Sequence, residues 1–388
     1  MILFRKTFFA SFMLSILLNA CSSSSSKNKL QEDSLIYKQP TPQQLSKTKF
    51  RELYRMADAF YDTTLLATGF NGGFLVAKGG TIIYERYNGR ERLGNTDSIS
   101  SNTSFHIAST TKTFTAMGIL YLVQAKKLFL NDSVQKFFPL FPYQGITIQM
   151  LLSQRTGLPN YMNAMESLGW NKKQRATNKD VLDFFTVQKP NLQFTSGKRF
   201  NYSNTNFLLL AMILEKITGK SYKEFMTEIF FKPLQMNNSF VFSWADSATV
   251  TPSYRWNGAV ESFTWMDETV GDKNIYSTVR DLLKWDQALY TDQLISKALK
   301  EAAFTPYSFE KPGMHNYGLG WRMYTLPQNK NIIYHNGWWH GNNSCFYRVI
   351  SDSITIIILG NKFNRNIYHV KPLIEAITPL RFNYDGVE

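Results

Sequence analysis

The chain has 388 residues, 44% hydrophobic and 15% aromatic, a globular composition that excludes a disordered or collagen-like polypeptide. The length exceeds what one hydrophobic core usually serves, so two lobes are expected. The formal charge is +14, but Lys and Arg are spread without a run of five or six, and there is no zinc-finger spacing or RNA-binding aromatic signature. Nucleic acid is therefore set aside as a partner, and a solvated surface lying near anionic lipid is the plainer reading.

In chain order, Arg5 and Lys6 precede an apolar run from Thr7 to Ala20, followed by Cys21 and five serines. This is a secretory leader, with a run too short for a membrane span of ~20 residues. The segment "LNAC" from Leu18 to Cys21 resembles a bacterial lipoprotein cleavage box. That resemblance implies a signal peptide over 1–20, a lipidated Cys21, and a protein lipid-anchored in the bacterial cell envelope, periplasmic or on the outer membrane. Residues 21–41 then read as a polar tether and 42–388 as the folded domain. Cys345 is left without a disulfide partner and reads as a small buried hydrophobe.

Residues 42–65 carry helical spacing through Leu45, Phe50, Leu53, Met56 and Phe60. "GFLVAKGGTIIYERY" predicts a β-hairpin turning at Gly79-Gly80. Residues 109–125 predict a strongly apolar helix, "GITIQMLLSQRTGL" a short one, and 204–217 another that stops at Gly219. Late in the chain, "NIIYHNGWW", "NSCFYRVISD" and "SITIIILGNK" read as consecutive strands, followed by a helix near 366–377. Strands at both ends with helices between them predict an α/β (α+β) fold. One antiparallel sheet is built from both termini and flanked by helices, with a mainly helical lobe inserted. The sheet lobe is expected over about 42–108 and 270–388, the helical lobe over about 109–269, with a site in the cleft between them.

The chemistry starts from "HIASTTKTFTAM". Ser109 and Lys112 lie three residues apart where a buried helix begins, so their side chains meet near the N–H-rich helix end. The pattern S-x-x-K occurs six times in the chain, and only Ser109 opens a long apolar helix. Two further segments follow in order: "FNYSNTNF", with Tyr202 and Asn204, and "YHNGWWHG", with His335, Asn336 and Gly337. A serine hydroxyl needs a base, which a desolvated lysine can supply. A phenol can relay a proton, a glycine on a facing strand leaves room for substrate, and backbone N–H groups can hold an oxyanion.

Together these segments resemble the serine β-lactamase and penicillin-binding superfamily in its class C-like branch, over roughly residues 70–380. "YGLGW" and "GDKNIYSTVRDLLKW" also match family stretches, and "HNGWWHG" has the H-x-G form that relatives carry in place of K-T-G. The resemblance implies Ser109 as acylated nucleophile, Lys112 as its base and Tyr202 as proton relay. It implies Asn204 as a ligand for the substrate amide or for Lys112. His335 stands at the third-motif lysine and Gly337 at its glycine, while the N–H groups of Ser109 and Trp338 form the oxyanion hole. The implied activity is hydrolysis of an ester or amide through an acyl-enzyme, of the esterase or D-amino-acid peptidase type, on a small-molecule or peptide substrate without cofactor. Only weak β-lactamase action is expected, because a neutral His335 offers little charge to a carboxylate and the Trp338 ring would crowd the oxyanion position. The rival is a non-catalytic cell-wall or peptide-binding protein on the same fold. Departures from the family pattern stand at Gln154, Arg155, Ser196 and Gln235.

Plainer readings cover the rest. Asp132 and Asp281 read as helix caps or surface charges. His335 and His340 make no metal motif, and Gly219-Lys220-Ser221 lacks the earlier glycine of a phosphate loop because Leu214 stands there. Arg155 reads first as a structural ion pair and second as a reader of a substrate carboxylate. Trp338 or Trp339 is a candidate pocket wall.

Overall fold

The computed structural model of the protein describes residues 37–327 and 330–382. The leader, Cys21 and the tether as far as residue 36 lie outside the described residues. Seven strands form one antiparallel sheet: β1 (Gly72–Lys78), β2 (Thr81–Asn88), β3 (His315–Tyr317), β4 (Arg322–Leu326), β5 (Lys330–Trp339), β6 (Asn342–Val349) and β7 (Ile354–Gly360). Their spatial order is β2-β1-β7-β6-β5-β4-β3, so the first two strands of the chain join the last five into one surface. The β1–β2 turn falls at Gly79 and Gly80, with φ of +52° and +80°, a conformation that glycine adopts without a Cβ penalty.

Both faces of this sheet are covered, which explains why "ITIIILG" in β7 is continuously apolar. Alternate side chains serve different cores. Leu75, Phe346, Ile357 and Leu359 pack with Phe114, Leu120, Leu208 and Trp285 of the helical layer. Phe74, Val76, Ile356 and Ile358 pack with Leu53, Ala57, Phe60, Ile374 and Ile377 from helices at the two chain ends. Those outer helices are α1 (Lys47–Phe60) and α5 (Lys371–Ile377); the inner layer includes α2 (Thr111–Gln124), α3 (Asn204–Thr218) and α4 (Val279–Ala288).

Boundaries differ from the pattern-based reading for identifiable reasons. Helix α1 starts at Lys47, where the Ser46 hydroxyl accepts from the Lys49 N–H at 3.2 Å. Ahead of it the Gln43 N–H is spent on the Gly79 carbonyl at 2.7 Å, in the β1–β2 turn. Pro372 sits in the first turn of α5, and residues 365–368 form a separate 3₁₀ turn before it. Strands β3 and β4 went unread, because "HNYGLGWRMYTL" interrupts its apolar pattern with Gly318 and Gly320. A small sheet of Phe105–His106, Ile275–Ser277 and Phe240–Val241 was also missed. It ties the residues just before α2 to the segment entering α4.

Candidate active site

Helix α2 is buried along most of its length, and the chain enters it through a 3₁₀ turn, Ala108–Thr110. Ala108 is held at φ +48°, a left-handed conformation that costs a non-glycine residue on the order of 1–3 kcal/mol. That turn presents Ser109. Lys112, fully buried in the first turn of α2, places its Nζ 3.0 Å from Ser109 Oγ and 2.7 Å from the Asp272 carbonyl.

Strand β5 seals the other side of the turn. A Cβ built on Gly337 would lie 2.4 Å from the Ile107 carbonyl and 2.9 Å from the Ser109 nitrogen, so only glycine fits this approach. Ser344 on β6 fastens the seam by donating to the Ile107 carbonyl at 2.6 Å and meeting Thr110 Oγ1 at 2.8 Å. The Ser109 nitrogen therefore lies against the Gly337 backbone across the seam.

Tyr202, from the loop entering α3, has two nitrogen-bearing side chains close to its ring. Lys112 Nζ stands 5.0 Å from its ring centroid and the Arg322 guanidinium 4.9 Å. The His335 ring lies 6.3 Å away. Burial pushes the His335 imidazole well below its ordinary pKa of 6.5, with the charges of Arg322 and Lys112 adding to the effect. It is uncharged at neutral pH. Its Nδ1 lies 2.8 Å from the Asn336 carbonyl and therefore carries the proton, leaving Nε2 to accept from the Tyr317 hydroxyl at 3.4 Å.

The structure thus gathers Ser109, Lys112, Tyr202, His335 and Gly337 around one seam. Asn204 is near but does not bond Lys112. Its Nδ2 faces Met162 Sδ at 3.8 Å, and its Oδ1 is buried without a hydrogen-bond partner among the described residues. Trp338 departs from expectation. Its ring is 64% exposed and packs on Phe363, so it does not crowd the oxyanion position. Strand alternation puts Trp339, not Trp338, on the face shared by His335 and Gly337. The Asp267 carboxylate accepts from its Nε1 at 2.6 Å, and Lys273 Nζ stands 4.7 Å from its ring. Asn336 turns to the opposite face and meets the Tyr347 hydroxyl at 3.3 Å.

Arg322 was missed in the sequence. It sits on β4 directly after "YGLGW", the only local signal that could have pointed to it. No ion pair or hydrogen bond holds its guanidinium among the described residues. Arg155, by contrast, is fully engaged: it pairs with Glu310 and donates to the Tyr307 and Gly197 carbonyls at 2.9 Å each. Its structural reading stands. Gln154 earns its place where relatives differ, because its Oε1 accepts from the Ser203 N–H at 2.9 Å and from Asn206 Nδ2 at 2.6 Å, holding the Tyr202 loop. Asp132 and Asp281 serve backbone N–H groups and lysines. Cys345 is buried and its thiol is pushed well above its ordinary pKa by that burial, so it is inert.

A family model described as Beta-lactamase matches residues 61–373, which include this whole seam. The chain belongs to the beta-lactamase family. It is thereby a serine hydrolase of the β-lactamase and penicillin-binding type. Penicillin-binding protein 4* of Bacillus subtilis (strain 168) is 35% identical over 309 residues, covering 76% of this chain and 68% of that protein. Among solved structures, a penicillin binding protein from Bacillus halodurans aligns with a TM-score of 0.72 at 23% identity, over 84% of this chain and 99% of that one. The D-amino acid amidase from Ochrobactrum anthropi SV3 complexed with D-phenylalanine aligns at 0.69 and 21%, over 85% of this chain and 99% of that one. At such identities the last two likenesses speak for the fold. They agree with the mixed α/β architecture and antiparallel sheet of this beta-lactamase-family protein.

Proposed function

We propose that this beta-lactamase-family protein cleaves an amide or ester through an acyl-enzyme on Ser109, as a hydrolase of the D-amino-acid peptidase type. The observation that carries the reading is the 3.0 Å approach of a fully buried Lys112 amine to a serine hydroxyl at the start of a buried helix. Lys112 Nζ takes the Ser109 proton as Oγ attacks the carbonyl carbon, and the N–H groups of Ser109 and Trp338 receive the oxyanion. Tyr202 passes a proton to the leaving nitrogen or oxygen. Water then attacks the acyl-serine with the same groups acting in reverse. The unpartnered Asn204 Oδ1 accepts a substrate N–H.

Arg322 favours a peptidase over a simple esterase. A guanidinium without a protein counter-ion, beside Tyr202, suits a carboxylate on the leaving side of the scissile bond. It supplies the fixed charge that His335 lacks. With the Trp338 ring also turned outward, weak β-lactam turnover is left without a structural ground. The test compares kcat/KM for an acylated D,D-dipeptide bearing a free terminal carboxylate with that for its methyl ester. The free acid is expected to win in the wild type. Arg322→Ala should erase the preference, a loss of about 10–200-fold for one charge-assisted contact of ~1.5–3 kcal/mol. An unchanged preference in the variant would remove Arg322 from recognition.

Anchoring through a lipidated Cys21, within the bacterial envelope, belongs to the same proposal. The support is the leader pattern, and a single acyl chain holds a protein to a bilayer only marginally whereas several hold firmly. Cys21→Ser is expected to leave an unprocessed precursor or to release the protein from washed membranes. Wild-type protein recovered in the soluble fraction would refute it.

A further inference from the structure

We propose that His106 is a positioning residue that sets the nucleophile turn, holding Ser109 in its attacking geometry through the strained backbone of Ala108. The inference rests on Ser109 being the nucleophile. His106 is only 3% exposed, and its hydrogen bonds among the described residues go to Ala108 and Asn274, not to Ser109. Its Nδ1 lies 3.0 Å from the Ala108 N–H, and its Nε2 lies 2.8 Å from Asn274 Oδ1.

The tautomer follows from the next residue outward. Asn274 Nδ2 donates to the Asp267 and Thr269 carbonyls, each at 2.7 Å, so its oxygen must be the atom that faces His106. An oxygen there requires a proton on His106 Nε2 and leaves the lone pair on Nδ1. That lone pair accepts from the N–H of Ala108, the residue held at φ +48° just before Ser109. Burial pushes the imidazole down to about 4, against the Asn274 bond and the charge of Asp267, so at neutral pH the ring is uncharged and Nδ1 stays an acceptor. The ring is fixed edge-on to Tyr276, with centroids 5.1 Å apart.

The same short segment braces the rest of the nucleophile's surroundings. The Asp272 carbonyl takes Lys112 Nζ, Ile275 accepts from the Ile107 N–H at 2.9 Å, and the Ile275 N–H donates to Thr111 Oγ1 at 3.2 Å. Asn274 itself lies at φ +78°, so "GDKN" is bent to bring its carbonyls and one side-chain oxygen onto this turn. Base and nucleophile are thus set by one segment, the base directly and the nucleophile through His106.

The test measures fluorophosphonate labelling of Ser109 on the purified protein, separating the saturation constant from the limiting rate. His106→Leu is expected to lower the limiting rate roughly 10–100-fold with the saturation constant unchanged, as for a reacting atom displaced by a fraction of an ångström to an ångström. His106→Asn, whose Oδ1 can stand where Nδ1 stood, is expected to restore most of the rate. Equal slowing in both variants would reduce His106 to packing, and a wild-type rate in His106→Leu would also overturn the proposal. If His106→Leu does not fold, Asn274→Gly decides. Glycine keeps the positive-φ backbone but removes the oxygen that sets the tautomer, so a slower limiting rate supports the proposal and an unchanged one overturns it. Absence of label on the wild type would instead overturn the nucleophile assignment, and this inference with it.

Discussion

Ser109→Ala is expected to abolish fluorophosphonate labelling and to lower turnover by roughly 10⁴–10⁶, the scale seen when a nucleophile is removed from a cooperating set. Lys112→Met should be nearly as severe, because the hydroxyl loses the amine that stands 3.0 Å away. Methionine keeps the volume of a fully buried side chain, so the loss is chemical and not a cavity effect. The other S-x-x-K serines provide internal controls. Ser46 caps α1 while Lys49 turns to Glu52 at 3.1 Å, and Lys136, three residues after Ser133, pairs with Asp132 at 2.8 Å. Neither serine has an amine aimed at its hydroxyl. Ser133→Ala should therefore retain labelling and turnover, and full activity in Ser109→Ala would end the catalytic reading.

The second large effect is expected at Gly337. Its added Cβ would meet the Ile107 carbonyl and Ser344 Oγ, each at 2.4 Å, and the Ser109 nitrogen at 2.9 Å. Two of those three atoms are backbone, and the third is fastened by the Ile107 carbonyl and Thr110. None can swing aside. Gly337→Ala must push β5 off the Ser109 turn and part the two N–H groups proposed to hold the oxyanion. A displaced or missing oxyanion donor costs about 10²–10³ in kcat. Arg322, the proposed carboxylate contact, lies on β4 away from this clash, so KM should change far less than kcat. A Gly337→Ala enzyme with wild-type kcat would show that the seam does not form the oxyanion site. The Gly337 carbonyl also accepts from the Tyr368 hydroxyl at 2.7 Å, so Tyr368→Phe offers a milder perturbation of the same peptide.

How much of this was legible before folding depends on the range of each signal. The hairpin at Gly79-Gly80, the long apolar α2, the stop of α3 at Gly219 and the strands β5, β6 and β7 are written in patterns a few residues long. Local backbone preference and side-chain period decide them. The meeting of Ser109 and Lys112 is likewise local, because residues three apart near a helix start face one another whatever the rest of the chain does. Tyr202, His335 and Gly337 were identified through ordered motifs, which report a shared architecture without stating a distance.

What the sequence by itself determined, then, is most of the long elements, the two-ended sheet, and the adjacency of Ser109 and Lys112 at a helix start. Tertiary structure alone decided which atoms converge. Ser344 reaches the Ile107 carbonyl across 237 residues, and His106 reaches Asn274 across 168. Period-2 alternation says that Trp338 and Trp339 point opposite ways, but only the docking of β5 on the α2 turn selects Trp339 for the inner face. Arg322 carries no local signal beyond its place directly after "YGLGW". The pairing of β4 with β5 sets its guanidinium 4.9 Å from the Tyr202 ring centroid, with no carboxylate paired to it among the described residues. The physical reason is one of range. Backbone preference and side-chain period act over a few residues, whereas hydrogen bonds, close backbone approach and burial act between surfaces that exist only once the chain has packed.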